Sequence, residues 1–252
     1  MTERIGSLAW TRRTQGTLTK AERRTLLAAI VKGQGQYVAG RLRLLSGQVP
    51  RGARDLVAGE FRAPDSLFAR KAEEAALEQS PAVIGHSYRT WLFGHGLAAL
   101  DGVALDPELF YVASLLHDYG IDPVVPGQDF TLRSADRALR VAADAGIETA
   151  SAELIAGGIT VHASPGATVE NDGPLGTYVQ QGAMYDLAAL RAGDLPRSFR
   201  QDVIGAHPRD GVNAAITAMI AAESRAVPDG RFALLHRCGM SALIRISPHR
   251  PR

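Results

Sequence analysis

The sequence predicts an all-α fold. No stretch alternates apolar and polar residues with β-branched enrichment, and helix-start signals recur at short intervals between residues 64 and 224. The apolar runs between those signals are long enough for helices and too long for strands. In chain order, TKAERRTLLAAIV reads as an amphipathic helix near the N-terminus. The Gly/Arg-rich passage after it, GQGQYVAGRLRLLSGQVPRGARD, carries no clear pattern. A helix over about 65–79 precedes Ser80-Pro81, an N-cap residue followed by proline at the first helical position, which opens a helix over 81–100. Asp106-Pro107-Glu108 repeats that signal, with an acid where the helix dipole favours it. The segment LFYVASLLHDYG that follows is apolar almost all round, as a helix buried inside a bundle must be, and Gly120 stands where it would end. Helices over about 133–146, 150–163, 174–193, 198–205 and 210–224 complete the body, with Ser198 and Gln201 forming a capping-box pattern.

Composition bounds the function. The 252 residues carry 28 Lys and Arg against 26 Asp and Glu, with 46% apolar residues, values that exclude collagen-like, disordered and disulfide-scaffold classes. The single cysteine, Cys238, can form neither an internal disulfide nor a thiolate zinc cluster, so a metal would have to be held by imidazole and carboxylate. With no apolar stretch suited to a signal peptide or a membrane span, the expectation is a cytoplasmic protein without a membrane partner.

Charge is distributed unevenly. Residues 1–60 carry +7, residues 61–224 carry −10 and residues 225–252 carry +5. The expected organisation is therefore a basic, partly helical N-terminal extension (1–60), a helical body (61–224) and a short basic tail (225–252). The ends could meet nucleic acid or fold onto the acidic body of their own chain or of a partner subunit. The tail lacks the interleaved aromatics of single-strand binders, so nucleic acid is not the expected partner and a homo-oligomer stays open.

The chemistry concentrates on a few positions. His117 and Asp118, both expensive to bury alone, close an otherwise apolar run. On the preceding helix, 100° per residue puts His86 on one face with Thr90, Phe93 and Leu97, with Arg89 beside it and His95 on the opposite face. Asp186 stands among Met184, Leu187 and Leu190, as either a solvated acid or a ligand. His207 reads as a helix-end residue, and His236 and His249 as exposed tail residues.

The runs GHSYRTWLFG, DPELFYVASLLHDYGI, DFTLRSADRALRVAADAGI, AGGITVHASPG and QQGAMYDLAAL together resemble the HD-domain metalloprotein superfamily, and within it the cyanamide-hydratase-like branch. The resemblance covers about residues 80–195. It implies a single HD-type helical bundle with one divalent ion, zinc by preference and Fe(II) or Mn(II) otherwise, held by His86, His117, Asp118 and Asp186. It adds His162 as a further active-site histidine. Asp118 and Arg89 join His162 as expected catalytic residues, Arg89 as a group that pairs either with an acid beside the metal or in a surface salt bridge. Only His162 lies between Asp118 and Asp186, one histidine short of the dinuclear oxygenase pattern, and the GYP-type motif of cyclic-dinucleotide phosphodiesterases is absent. The implied activity is hydration or hydrolysis of a small molecule, nitrile- or cyanamide-like, by metal-activated water. The alternatives are a metal-dependent phosphohydrolase and a non-catalytic binding or regulatory protein. With no lysine after Lys71 in an acidic body, a weakly charged electrophile fits better than a phosphate ester.

Overall fold

A computed structural model describes residues 3–249. From the N-terminus the chain forms α1 (Leu8–Thr14), α2 (Lys20–Ser46), α3 (Leu67–Ala76), α4 (Pro81–Leu100), α5 (Pro107–Leu116) and α6 (Phe130–Asp144). It continues through α7 (Thr149–His162), α8 (Val169–Ala188), α9 (Arg197–Ala206), α10 (Val212–Ala226), α11 (Arg231–Arg237) and α12 (Met240–Arg245). Among the described residues no strand forms, and an isolated bridge joins Thr17 to Gly230. The fold is all-α. No helix among those residues is long and apolar enough to cross a membrane.

Several start signals act as the sequence suggests. The Asp106 carboxylate accepts from the backbone N–H groups of Glu108 and Leu109 at 3.0 and 2.9 Å, and Pro107 fills the first helical position. Pro81 does the same for α4, although the Ser80 hydroxyl makes no capping bond. The Ser198 capping box does not form: α9 starts one residue earlier, after Pro196, whose fixed φ already presets the entry. Helix α8 begins before the expected residue 174 because a separate turn, capped by Thr168, is joined to it through Gly173 at φ 74° ahead of Pro174. The passage after residue 32, patternless in sequence, is helical to Ser46, so α2 runs for 27 residues.

Helices α4 and α8 cross closely enough to exclude side chains at the crossing. A Cβ on Gly182 would collide with the Thr90 carbonyl, and one on Gly94 would lie 2.6 Å from the Tyr178 carbonyl. Glycine at both positions thus lets the two backbones meet and sets His86 and Asp186 face to face. Around this crossing the main core gathers Phe93, Leu97, Phe110, Tyr111, Ile155, Tyr178 and Phe199. A second cluster joins Val83, Ile121, Phe130 and Leu187 to Ile216, Ile220, Met240 and Ile244 of the C-terminal helices.

The two basic ends fold onto the body. Trp10 is fully buried, and the Arg231 guanidinium lies over its ring at 5.3 Å. Ion pairs join Arg4 to Asp172 at 2.5 Å, Arg43 to Asp194 at 2.6 Å and Arg231 to Asp129 at 2.9 Å. The tail, expected to be exposed, is anchored as well: His249 is buried, with its ring stacked near Phe93 and Tyr185. His236 is partly buried against the Ser241 hydroxyl at 2.9 Å. The acidic body supplies carboxylates to the ends' cations, and the buried Arg231 donates to Asp129, Thr131, Ser164 and the Thr160 carbonyl.

Candidate metal centre

Each side chain of the site is delivered by the end or the inner face of a helix. His86 points inward from α4. Helix α5 stops at Leu116, one turn earlier than Gly120 suggests, leaving His117 as its C-cap and Asp118 just outside at φ −104°, ψ 7°. Two neighbours on a regular helix diverge by 100°. Leaving the helix at this point turns both side chains toward one spot instead. His162 is the last residue of α7.

These groups converge. His86 Nε2 lies 3.6 Å and His117 Nε2 3.4 Å from Asp118 Oδ2, and His162 Nε2 lies 3.4 Å from Asp118 Oδ1. All four residues are buried. Donor atoms of His86, His117 and Asp118 lie within 4.8 Å of one another.

The opposite ring nitrogens explain the arrangement. His117 Nδ1 donates to the Ser114 carbonyl at 2.8 Å and His162 Nδ1 to the Ile159 carbonyl at 2.5 Å, each three residues back in the chain. His86 Nδ1 lies 2.7 Å from Asp186 Oδ2. A carbonyl can only accept, so in the neutral ring the proton sits on Nδ1 and the Nε2 lone pair faces the cluster. His86 Nε2 and His117 Nε2 are buried with no hydrogen-bond partner. Lone pairs aimed at a carboxylate repel unless a cation lies between them. Two donors each about 2.1 Å from one tetrahedral ion stand about 3.4 Å apart, close to the spacings seen here. The donor set therefore fits a divalent metal.

The sequence reading makes Asp186 a fourth ligand, and the structure places it elsewhere. Its Oδ1 accepts from Arg89 Nε at 2.9 Å and from Arg209 Nη1, while Oδ2 is taken by the His86 ring. It thus stands behind His86 and fixes that ring instead of joining the donor atoms. Two buried guanidinium groups need a carboxylate there, and Asp186 is the acid that pairs with both. Arg89 pairs with an acid as read, a buried one behind His86, and does not line the cavity; its Nη1 ties Asp186 to the His207 and Pro208 carbonyls at 3.1 and 2.8 Å. It is a positioning residue. Arg209, which no motif marks, bonds Asp186 and also donates to the His249 carbonyl at 2.8 Å. Besides Asn213 four residues on, the partners of Arg209 come from α8 and from the end of the described chain, so local spacing does not reveal its link to Asp186.

Electrostatics follow the contacts. Burial disfavours the Asp186 carboxylate, yet Arg209 and Arg89 hold its pKa well below the usual range. Burial likewise opposes ionisation of Asp118, but His117 and His162 facing it pull its pKa well down. Burial lowers His86 and His162, whereas at His117 burial is outweighed by the Asp118 charge, which raises the ring. Away from the site, His95 stacks on Phe61 at 5.0 Å and His207 on Tyr88 at 4.7 Å. Both are packing residues.

No protein-family model and no curated protein matches this chain.

The cluster forms the floor of a cavity of about 610 Å³. Helix α2 roofs it with Ile30, Gly33 and Tyr37, and α8 and α10–α12 wall it with Leu187, Ile220, Phe232 and Leu243. Arg43 and Arg191 lie on its rim, already paired with Asp194 and Asp101.

Proposed function

We propose that this chain is an HD-type metalloenzyme that adds water to a small, uncharged electrophile such as a nitrile, or hydrolyses a related amide. The observation that carries the reading is the set of imidazole lone pairs meeting Asp118 at the floor of a mostly apolar cavity. His86, His117 and Asp118 would hold one divalent ion. Zinc is the ion the reading takes, because three protein ligands with an open position match its catalytic sites, although Fe(II) and Mn(II) accept the same donors. When bound, such an ion supplies Lewis acidity that brings the pKa of a water from 15.7 down to about 7.

The chain's own residues do the rest. Asp118 Oδ1 faces His162 and away from the two unpartnered rings, so it is placed to accept a hydrogen bond from the attacking water. The His162 Nδ1 proton is held by the Ile159 carbonyl, which leaves Nε2 as the atom that takes a proton from that water. In hydration the water oxygen bonds to the nitrile carbon, and the proton held at Nε2 passes to the nitrogen, whose bond to carbon loses one π pair. No group leaves. Arg89, Asp186 and Arg209 hold His86 in register. The phosphohydrolase alternative needs several free cations to meet phosphate charge; the cavity's two arginines are already paired with carboxylates, and Lys32 is the one lining lysine, without a carboxylate partner among the described residues.

Metal analysis of protein purified without chelator is expected to give close to one equivalent per chain. His117→Ala should lower metal affinity by more than the roughly 10–100-fold that loss of an outer-shell partner costs. Retention of metal by His117→Ala, or turnover of phosphate esters with none of nitriles and amides, overturns the reading.

A further inference from the structure

We infer that the substrate carries its reactive group on an apolar body of about ten or more heavy atoms, filling a cavity in the range of drug-sized ligand sites. This rests on the hydrolytic reading above and names the class of molecule that site takes. A cyanamide- or acetonitrile-sized molecule needs little more room than a water, whose share of liquid volume is about 30 Å³. The cavity holds about 610 Å³.

The lining says what fills the remainder. Beyond the floor, the walls are Met184 and Leu187 of α8, Ile216 and Ile220 of α10, Phe232 of α11 and Leu243 of α12. Ile216, Ile220 and Leu187 are almost wholly buried. The cavity opens to solvent along α2, where Lys32, Gln34 and Gln36 are exposed, and a cleft of this volume with apolar walls and a few polar groups at one end has the form of a small-molecule site. Methionine at positions 184 and 240, both on the lining, suits a wall that adapts to an apolar guest.

The roof keeps the space open. On the inner face of α2, Ala29 and Gly33 stand at cavity-facing positions. A Cβ added at Gly33 would meet no atom within 4 Å. Glycine there is not required by a close backbone approach or by a positive φ, and a large residue would simply occupy the chamber. On the rim Arg43 and Arg191 are paired with Asp194 and Asp101, and Lys32 stands on the exposed side of α2, so the apolar walls make up most of the surface that meets the guest.

The test uses the full chain and straight-chain nitriles from acetonitrile to dodecanenitrile. Affinity, read as KM in the zinc-loaded wild type and as thermal stabilisation in His117→Ala, should tighten by about fourfold per buried methylene until the chamber is filled. Gly33→Leu, which also improves helix propensity, should reduce the long-chain over short-chain preference by about tenfold, the effect of losing one to two buried methylenes. Long-chain nitriles that stabilise His117→Ala but are not turned over by the wild type would sink the hydratase reading and leave this one standing. Turnover of acetonitrile with no gain along the series, or a Gly33→Leu variant with unchanged chain-length preference, overturns the inference.

Discussion

The floor of the cavity and its walls are built by opposite means. At the floor, α4, α5 and α7 each contribute a histidine whose second nitrogen is tied down, while the free nitrogens point at Asp118. The walls use apolar side chains from α2, α8 and the last three helices, and the arginines at their rim are paired with carboxylates. Chemistry is fixed by hydrogen bonds inside the acidic body, whereas shape is shared between α8 and α10 of that body and the chain's two basic ends. Changes at the floor should therefore act on metal and stability together, and changes at the walls on which molecule fits.

The sharpest way to break this division is at the Asp186 support, which belongs to the floor but is held by Arg209 next to the tail. Arg209→Met leaves Asp186 buried with one cation fewer and the His249 carbonyl without its donor. Removing one partner of a buried pair costs about 3–5 kcal/mol, and urea denaturation should show a loss of that order. Asp186→Asn separates orientation from ligation. As the residue behind His86, it should weaken metal affinity about 10–100-fold while the metal still binds at saturation. Complete loss of binding would make Asp186 a ligand after all.

The Asp186 correction shows how far a sequence can be read. The helical wheel places His86 inward, and the Asp106 cap with the apolar run after it places His117 and Asp118 in the core. A wheel gives a face and not a partner, so Asp186 is legible as a polar group among apolar neighbours and Arg89 as a cation in need of an acid, while the pairing of Asp186 with Arg209 is not. Arg209 and His249 meet it only through tertiary folding. The second half of α2 is hidden for another reason: Tyr37 lines the cavity while Val38, Leu42 and Leu45 face solvent. With apolar residues on both faces and glycine at 33, 35 and 40, neither periodicity nor propensity marks a helix, and packing over the cavity decides the matter.

A smaller effect tests whether the tail is part of the body. Burial pushes the His249 ring down to about 4, with Arg209 nearby adding to it, and His95 is pushed to about 4 by burial alone. An unfolded histidine titrates near 6.5. Between those values the unfolded chain binds the proton and the folded one does not, so these residues cost stability as pH falls from about 6.5 toward 4. Glu223, pushed up to about 6 by burial, runs the other way, its contribution being lost as pH rises through that value. The difference between wild type and His249→Leu isolates one residue from the rest. On acidification from pH 6.5, urea midpoints should favour the variant progressively, by about 1.4 kcal/mol per pH unit. A pH-independent difference would mean that the tail histidine is solvated.

The smallest effect belongs to the outer face of α2, where Val31 is 66% and Leu45 82% exposed. Single exposed apolar residues contribute little, and surface changes away from special features stay within about 0.5 kcal/mol. Val31→Ser and Leu45→Ser should leave both the denaturation midpoint and the nitrile chain-length preference where they are. Ile30→Ser, one residue away but facing the cavity and the Trp10 cluster, should lower both. If the outer pair proved as costly as Ile30, that face would be covered in solution by something other than water, and α2 would be a shared wall instead of a roof.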